Sequence, residues 1–147
     1  MKRVIAVDII PSFLILLFAY TAIAKLIEHN SFRMVISQMM DIPIRDLMHG
    51  SFTGADLIAW SVPLSELFIV LLLFFQRSRI YGLFASLSLM VVFTSYLGYM
   101  VLFRPHLPCS CGGVIGSMGW GMHIAFNVVV MAMIVWSAAV GALKFKV

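Results

Sequence analysis

The 147-residue chain is 63% hydrophobic and only 11% charged, with a mean hydropathy of +1.07, values that exclude an ordinary water-soluble globular domain. Its net charge of +4 matches the basic residues expected to flank membrane spans, so it does not argue for a nucleic-acid partner. The chain is read as one integral membrane domain over residues 1–147.

Uncharged apolar runs divide it into four segments, Val4 to Ile27, Leu57 to Phe75, Ile80 to Phe103 and Trp120 to Leu143. Each has about the 17 to 25 residues that cross a hydrocarbon core of about 30 Å. Strand-like alternation is absent, and helices satisfy their own backbone groups in lipid. The expected fold is therefore all-α, a four-transmembrane-helix bundle. The first segment follows Lys2 and Arg3 and contains Ala22, Ile23 and Ala24, which together resemble a cleavable secretory signal. The run is long for a signal core and is read as a retained helix. Asp8 reads as a solvated helix-start carboxylate. Pro11 is expected to kink the helix or free carbonyls that a neighbour must satisfy. Lys25, near the far end, either snorkels to the headgroups or belongs to a site.

The first loop, Glu28 to Asp56, holds apolar residues at Phe32, Val35, Ile36, Met39 and Met40. That spacing predicts an amphipathic helix with Ser31 as its N-cap, placed on the outer membrane surface, over the bundle mouth, or serving only as a linker. In the second span Pro63 repeats the expectation for Pro11. Glu66 stands ten residues into a nineteen-residue run, where a carboxylate cannot reach water and must be protonated, hydrogen-bonded or paired. It is either a polar clasp between helices or a proton-relay or quinone-contacting acid.

Gln76 to Arg79 forms a tight connection that makes the second and third spans antiparallel neighbours. In the third span, Tyr96 and Tyr99 read as interfacial anchors. In the fourth, spacings of three and four put Trp120, His123 and Asn127 on one face. Along the axis His123 is about 5 Å deep, Asn127 about 10 Å and Glu66 about 14 Å, a candidate polar ladder.

Lys2, Arg3, Arg77, Arg79, Lys144 and Lys146 fall on one side of the predicted membrane, against Arg33, Arg45 and Arg104 on the other. The positive-inside rule puts both termini in the cytoplasm. The loop with the sequence LPCSCGG then faces outward, which for a bacterial inner-membrane protein is the disulfide-permissive periplasm.

That loop holds the only two cysteines, Cys109 and Cys111. Cα atoms two positions apart lie about 5 to 7 Å from each other, at the awkward end of the range a disulfide can bridge. The ring would be strained and easily exchanged, and it closes too little chain to act as a staple. Three readings follow: thiol-disulfide exchange, soft-metal binding with His106 or His123, or two inert thiols. Exchange accounts best for the pair, with no metal site assigned.

The segments AYTAIAKLIEHNSF, PLSELF and PCSCGG together resemble the MauE (methylamine utilisation) branch of the DoxX-like membrane proteins, and the resemblance covers nearly the whole chain. It implies a four-helix bundle with a redox-associated role, in which MauE is linked to maturing a disulfide-rich dehydrogenase subunit and DoxX relatives to quinone-coupled oxidoreductases. It carries Lys25, Glu66, Cys109 and Cys111 onto family positions. The architecture is also similar to vitamin K epoxide reductase-like bundles, although this chain has no second cysteine pair. The resulting expectation has Cys109, Cys111 and His123 as reactive groups, and Lys25, Glu66, Asn127 and Trp120 as pocket or proton-relay groups. A quinone is the implied cofactor. The expected partners are the lipid bilayer and a periplasmic thioredoxin-like or disulfide-bearing protein. In the rival reading the chain is a non-catalytic anchor or assembly subunit of a membrane complex.

Overall fold

A chain that is apolar on every helix face must put one face against other helices and leave the rest to lipid. The computed structural model, which describes residues 5–39, 54–103 and 120–142, has this arrangement. After a π-helical turn, Ile5–Ile9, come α1 (Ile10–Ile27), α2 (His29–Met39), α3 (Gly54–Phe74), α4 (Arg79–Phe103) and α5 (Trp120–Ala142). There is no strand among the described residues. Among the described residues, four helical stretches are long and apolar enough to cross a membrane: Val7–Ile27, Gly54–Phe74, Arg79–Tyr99 and Gly121–Gly141. The expected four-helix membrane bundle is thus observed, and the second span, α3, begins three residues before the apolar run.

Around the bundle the order is α1, α3, α4, α5. The largest contacts join α1 to α3 and α4 to α5, α3 packs on α4, and the π-helical turn packs on α5. The buried positions repeat every three or four residues, as one helix face requires. They are Ile10, Leu14, Phe18 and Ala22 on α1, Ile69 and Leu73 on α3, Leu83 and Met90 on α4, and Val130 and Ile134 on α5. Leu16, Phe68, Val92 and Val129 are exposed and form the lipid-facing surface. Gly82 lets α4 approach α3 closely, since a Cβ there would come within 2.9 Å of Leu73 N.

Two connections follow from backbone accounting at helix ends. Glu28 N–H donates to Ala24 O (3.0 Å) and Phe32 N–H to Glu28 O (2.9 Å), so α1 passes into α2 with a break of one residue. Ser31 therefore lies inside α2 and is not its N-cap; the helix starts at His29 because these bonds continue through the α1 end. The apolar stripe is as expected at Phe32 and Ile36, which pack with Ala55, Ile58 and Ala59 at the start of α3. Met40 lies outside the described residues. At the other end of the bundle Ser78 Oγ donates to Leu72 O (2.9 Å) and Arg79 Nε to Leu73 O (3.4 Å). These bonds close the C-terminus of α3, and Arg79 begins α4.

Pro11 has no N–H to give the carbonyl four residues earlier, which is Val7 O. That carbonyl accepts from Arg79 Nη1 (2.7 Å), and the same nitrogen lies 3.2 Å from Asp8 Oδ1. Asp8 is thus a solvated but ion-paired carboxylate. Pro63 is buried within α3 without ending it.

Candidate functional site

An ammonium and a carboxylate within a membrane span are each costly alone, and pairing them is the least expensive way to keep both. Lys25, in the last turn of α1, does not snorkel outward. Its Nζ lies 2.5 Å from Glu66 Oε1, with side-chain exposures of 22% for Lys25 and 3% for Glu66. Because Glu66 is twelve residues past the start of α3, the contact is inside the bundle. Glu66 Oε2 is buried and has no hydrogen-bond partner among the described residues. The nearby Thr21 side chain donates its hydroxyl proton to Phe18 O (3.1 Å), in its own helix.

The remaining elements complete the surroundings of Lys25. Its Nζ is 5.7 Å from the ring centroid of Phe93 on α4 and 5.9 Å from that of Phe32 on α2, the range of a cation–π contact. On α5, His123 is half-buried and near enough for its charge to interact with that of Lys25. Asn127, one turn further along α5, is buried. Lys25, Glu66, Phe93 and His123 therefore bring all four membrane-spanning helices to one polar centre. The helical face predicted for Trp120, His123 and Asn127 holds for the backbone, and the Trp120 side chain lies outside the described residues.

Cys109 and Cys111 also lie outside the described residues, as does His106. Residues 104–119 join the end of α4 to the start of α5, both at the end of the bundle that carries α2. Among the described residues no three His, Cys, Asp or Glu side chains converge as a metal set.

Several groups here were not singled out by sequence. Arg33 on α2 makes a two-point contact with Asp56 at the start of α3, Nε with Oδ1 and Nη2 with Oδ2 (3.1 Å). The His29 ring lies 4.5 Å from that of Trp60, at 40°, and its Nδ1 has no partner among the described residues. Sequence signals existed for both, a basic residue on an amphipathic helix and an aromatic near a helix start, but neither identifies its partner. The Phe93 contact had no signal at all, since Phe93 is one phenylalanine among 12.

A bundle of four apolar helices around a buried Lys–Glu pair, capped at one end by an amphipathic helix, defines a multi-pass membrane protein in contact with the lipid bilayer. The profile of the family described as Methylamine utilisation protein MauE matches residues 3–140. The chain belongs to that family. Comparison with curated proteins and with solved structures found no match.

Proposed function

We propose that this MauE-family protein is a bacterial inner-membrane thiol-disulfide exchange protein, with both termini cytoplasmic and Cys109 and Cys111 facing the periplasm. The observation that carries the reading is the placement of the Lys25–Glu66 pair, with His123 within range of charge interaction with Lys25. This polar centre lies in the half of the bundle where α4 ends and α5 begins, the two helices that flank both cysteines in the sequence.

In this reading one cysteine thiolate attacks a disulfide of a periplasmic partner. A mixed disulfide forms, and the partner's other sulfur leaves as a thiolate that takes up a proton. The second cysteine, as thiolate, attacks its own neighbour's sulfur in the mixed disulfide. The partner is released as a dithiol, and Cys109 and Cys111 are left as a disulfide. The partner gains the two electrons that the pair loses, so the exchange balances without a further oxidant, and its reverse oxidises a partner. His123 accepts and returns the cysteine proton, and the Lys25 ammonium favours the thiolate over the thiol. Glu66 keeps Lys25 in place, and Asn127 and Trp120 extend the polar face of α5.

The test is capture of the intermediate. With one cysteine changed to serine, the mixed disulfide has no resolving thiol and accumulates. Cys109→Ser and Cys111→Ser variants are acid-quenched in cells and resolved without reductant. A reductant-sensitive adduct with a periplasmic protein is expected in at least one, and none in the double variant. Absence of an adduct in both, with both thiols free under oxidising conditions, would favour the non-catalytic anchor instead.

A further inference from the structure

The end of the bundle away from α2 has a feature that thiol exchange does not use. A cavity of about 580 Å³ opens there, lined by Val7, Asp8, Arg77, Arg79, Ser137 and Gly141 among others. These residues lie at or beside the ends of the membrane-crossing stretches, which begin at Val7 and Arg79 and end at Gly141. The cavity therefore sits where the hydrocarbon core meets the headgroups. Its volume is within the range of about 300 to 1,000 Å³ typical of small-ligand sites.

Its charge is unbalanced. Asp8 is engaged by Arg79 Nη1, and the same nitrogen holds Val7 O, so that guanidinium is fixed in the wall while its Nη2 donates to nothing among the described residues. Arg77 is exposed and makes no ion pair among the described residues. Among the described residues, two guanidinium groups thus face one carboxylate, an excess of a single positive charge. Arg79 and Ile80 also begin the 25-residue helix α4, whose first backbone N–H groups favour an anion. On α5, a Cβ at Gly141 would meet nothing within 4 Å among the described residues, so those residues leave space beside it.

We propose that this cavity binds a phosphate ester monoanion, supplied either by the headgroup of an anionic phospholipid or by a small soluble phosphate. Arg77 makes the primary ion pair, Arg79 presents its open Nη2, and the space beside Gly141 takes the esterified group. A guanidinium pairs with phosphate through two parallel hydrogen bonds, and a monoester or diester monoanion matches the one uncompensated charge.

The experiment measures the melting temperature of the full chain in phosphatidylcholine nanodiscs against increasing phosphatidylglycerol. Parallel titrations use inorganic phosphate and glycerol phosphate. Saturable stabilisation by phosphatidylglycerol is expected. Arg77→Gln, at an exposed turn position, should weaken it about tenfold, the loss of one charge-assisted contact. Gly141→Leu fills the cavity without changing charge and should also weaken it. A response to phosphatidylglycerol alone assigns the lipid headgroup, and an equal response to glycerol phosphate assigns the soluble ester. Stabilisation that survives Arg77→Gln, or that Gly141→Leu leaves intact while the variant still melts cooperatively, would reflect diffuse surface charge and overturn the site. So would no stabilisation by any of the three.

Discussion

Lys25 Nζ contacts Glu66 Oε1 at 2.5 Å across 41 residues of sequence, while Glu66 Oε2 stays buried with no hydrogen-bond partner among the described residues. This half-satisfied carboxylate ties α1 to α3 and leaves an acceptor open inside the bundle. The contact fixes the ammonium near the Phe93 ring and within range of charge interaction with His123, so it both holds the helices and sets the local field.

Removing one member of the pair leaves an uncompensated charge in a low-dielectric interior. Glu66→Leu or Lys25→Met alone is expected to cost about 3 to 5 kcal/mol. The double variant Lys25→Met, Glu66→Leu should recover most of that loss, because two apolar groups of similar size need no counter-charge. Unfolding in detergent measured as a double-mutant cycle checks this. If the double variant is as unstable as the sum of the singles, the two residues are not coupled.

The Pro11–Arg79 relationship makes a separate prediction. Arg79→Ala leaves Val7 O without its donor and should destabilise the protein by about 1 to 3 kcal/mol. Pro11→Ala restores an N–H four residues after Val7, so the same Arg79→Ala change should cost less in that background. Melting temperatures of the four proteins provide the coupling. Equal costs with and without Pro11 would show that the arginine acts through Asp8 and Leu73 O and not through the carbonyl that Pro11 leaves free.

At Gly82, substitution by Ala puts a Cβ against Leu73 N, a backbone atom that cannot rotate away. The helices α3 and α4 must separate, at an expected cost of about 1 to 3 kcal/mol. Gly98→Ala meets no atom within 4 Å and should be neutral or slightly stabilising, since alanine is the better helix former. Comparable destabilisation by both would indicate helix propensity and not close approach as the cause.

The anchoring of α2 depends on a forked guanidinium contact. Arg33→Lys keeps the charge but loses the two-point geometry, and should raise hydrogen exchange in α2 while leaving α4 and α5 unchanged. Because both side chains are partly exposed, the loss should be modest, about 1 kcal/mol. Exchange measured by mass spectrometry separates α2 from the rest, and a uniform increase across all helices would contradict the local role.

If His123 handles the proton of the reactive cysteines, His123→Ala should slow their alkylation or partner exchange about tenfold or more, in line with the loss of a general base. The thiols would still react at alkaline pH, where no base is needed. The profile of alkylation rate against pH is the measurement. A profile identical to that of the unaltered protein would remove His123 from the chemistry.

Much of the architecture was legible in the linear order. The number of spans, the α3–α4 neighbour relation and the amphipathic character of α2 follow from run lengths, a short connection and apolar spacing. The N-cap of α2 did not follow, because a bond from Phe32 to Glu28 extends helix past the expected start at Ser31. The site was legible as individual requirements. Glu66 had to be protonated, hydrogen-bonded or paired, and Pro11 had to kink the helix or free a carbonyl, but Phe93 and Thr21 had no distinguishing pattern, and the signals at His29 and Trp60 did not identify them as partners.

Sequence by itself determined what each segment needs, because bilayer thickness, backbone hydrogen bonding and the cost of buried charge act on residues wherever their neighbours lie. Only the tertiary structure decided who meets those needs. Spacing along a helix sets which residues share a face, but it does not say which helix that face meets. The packing of α1 on α3 makes Lys25 the partner of Glu66, and the return of the chain at Ser78 brings Arg79 to the carbonyl that Pro11 leaves free.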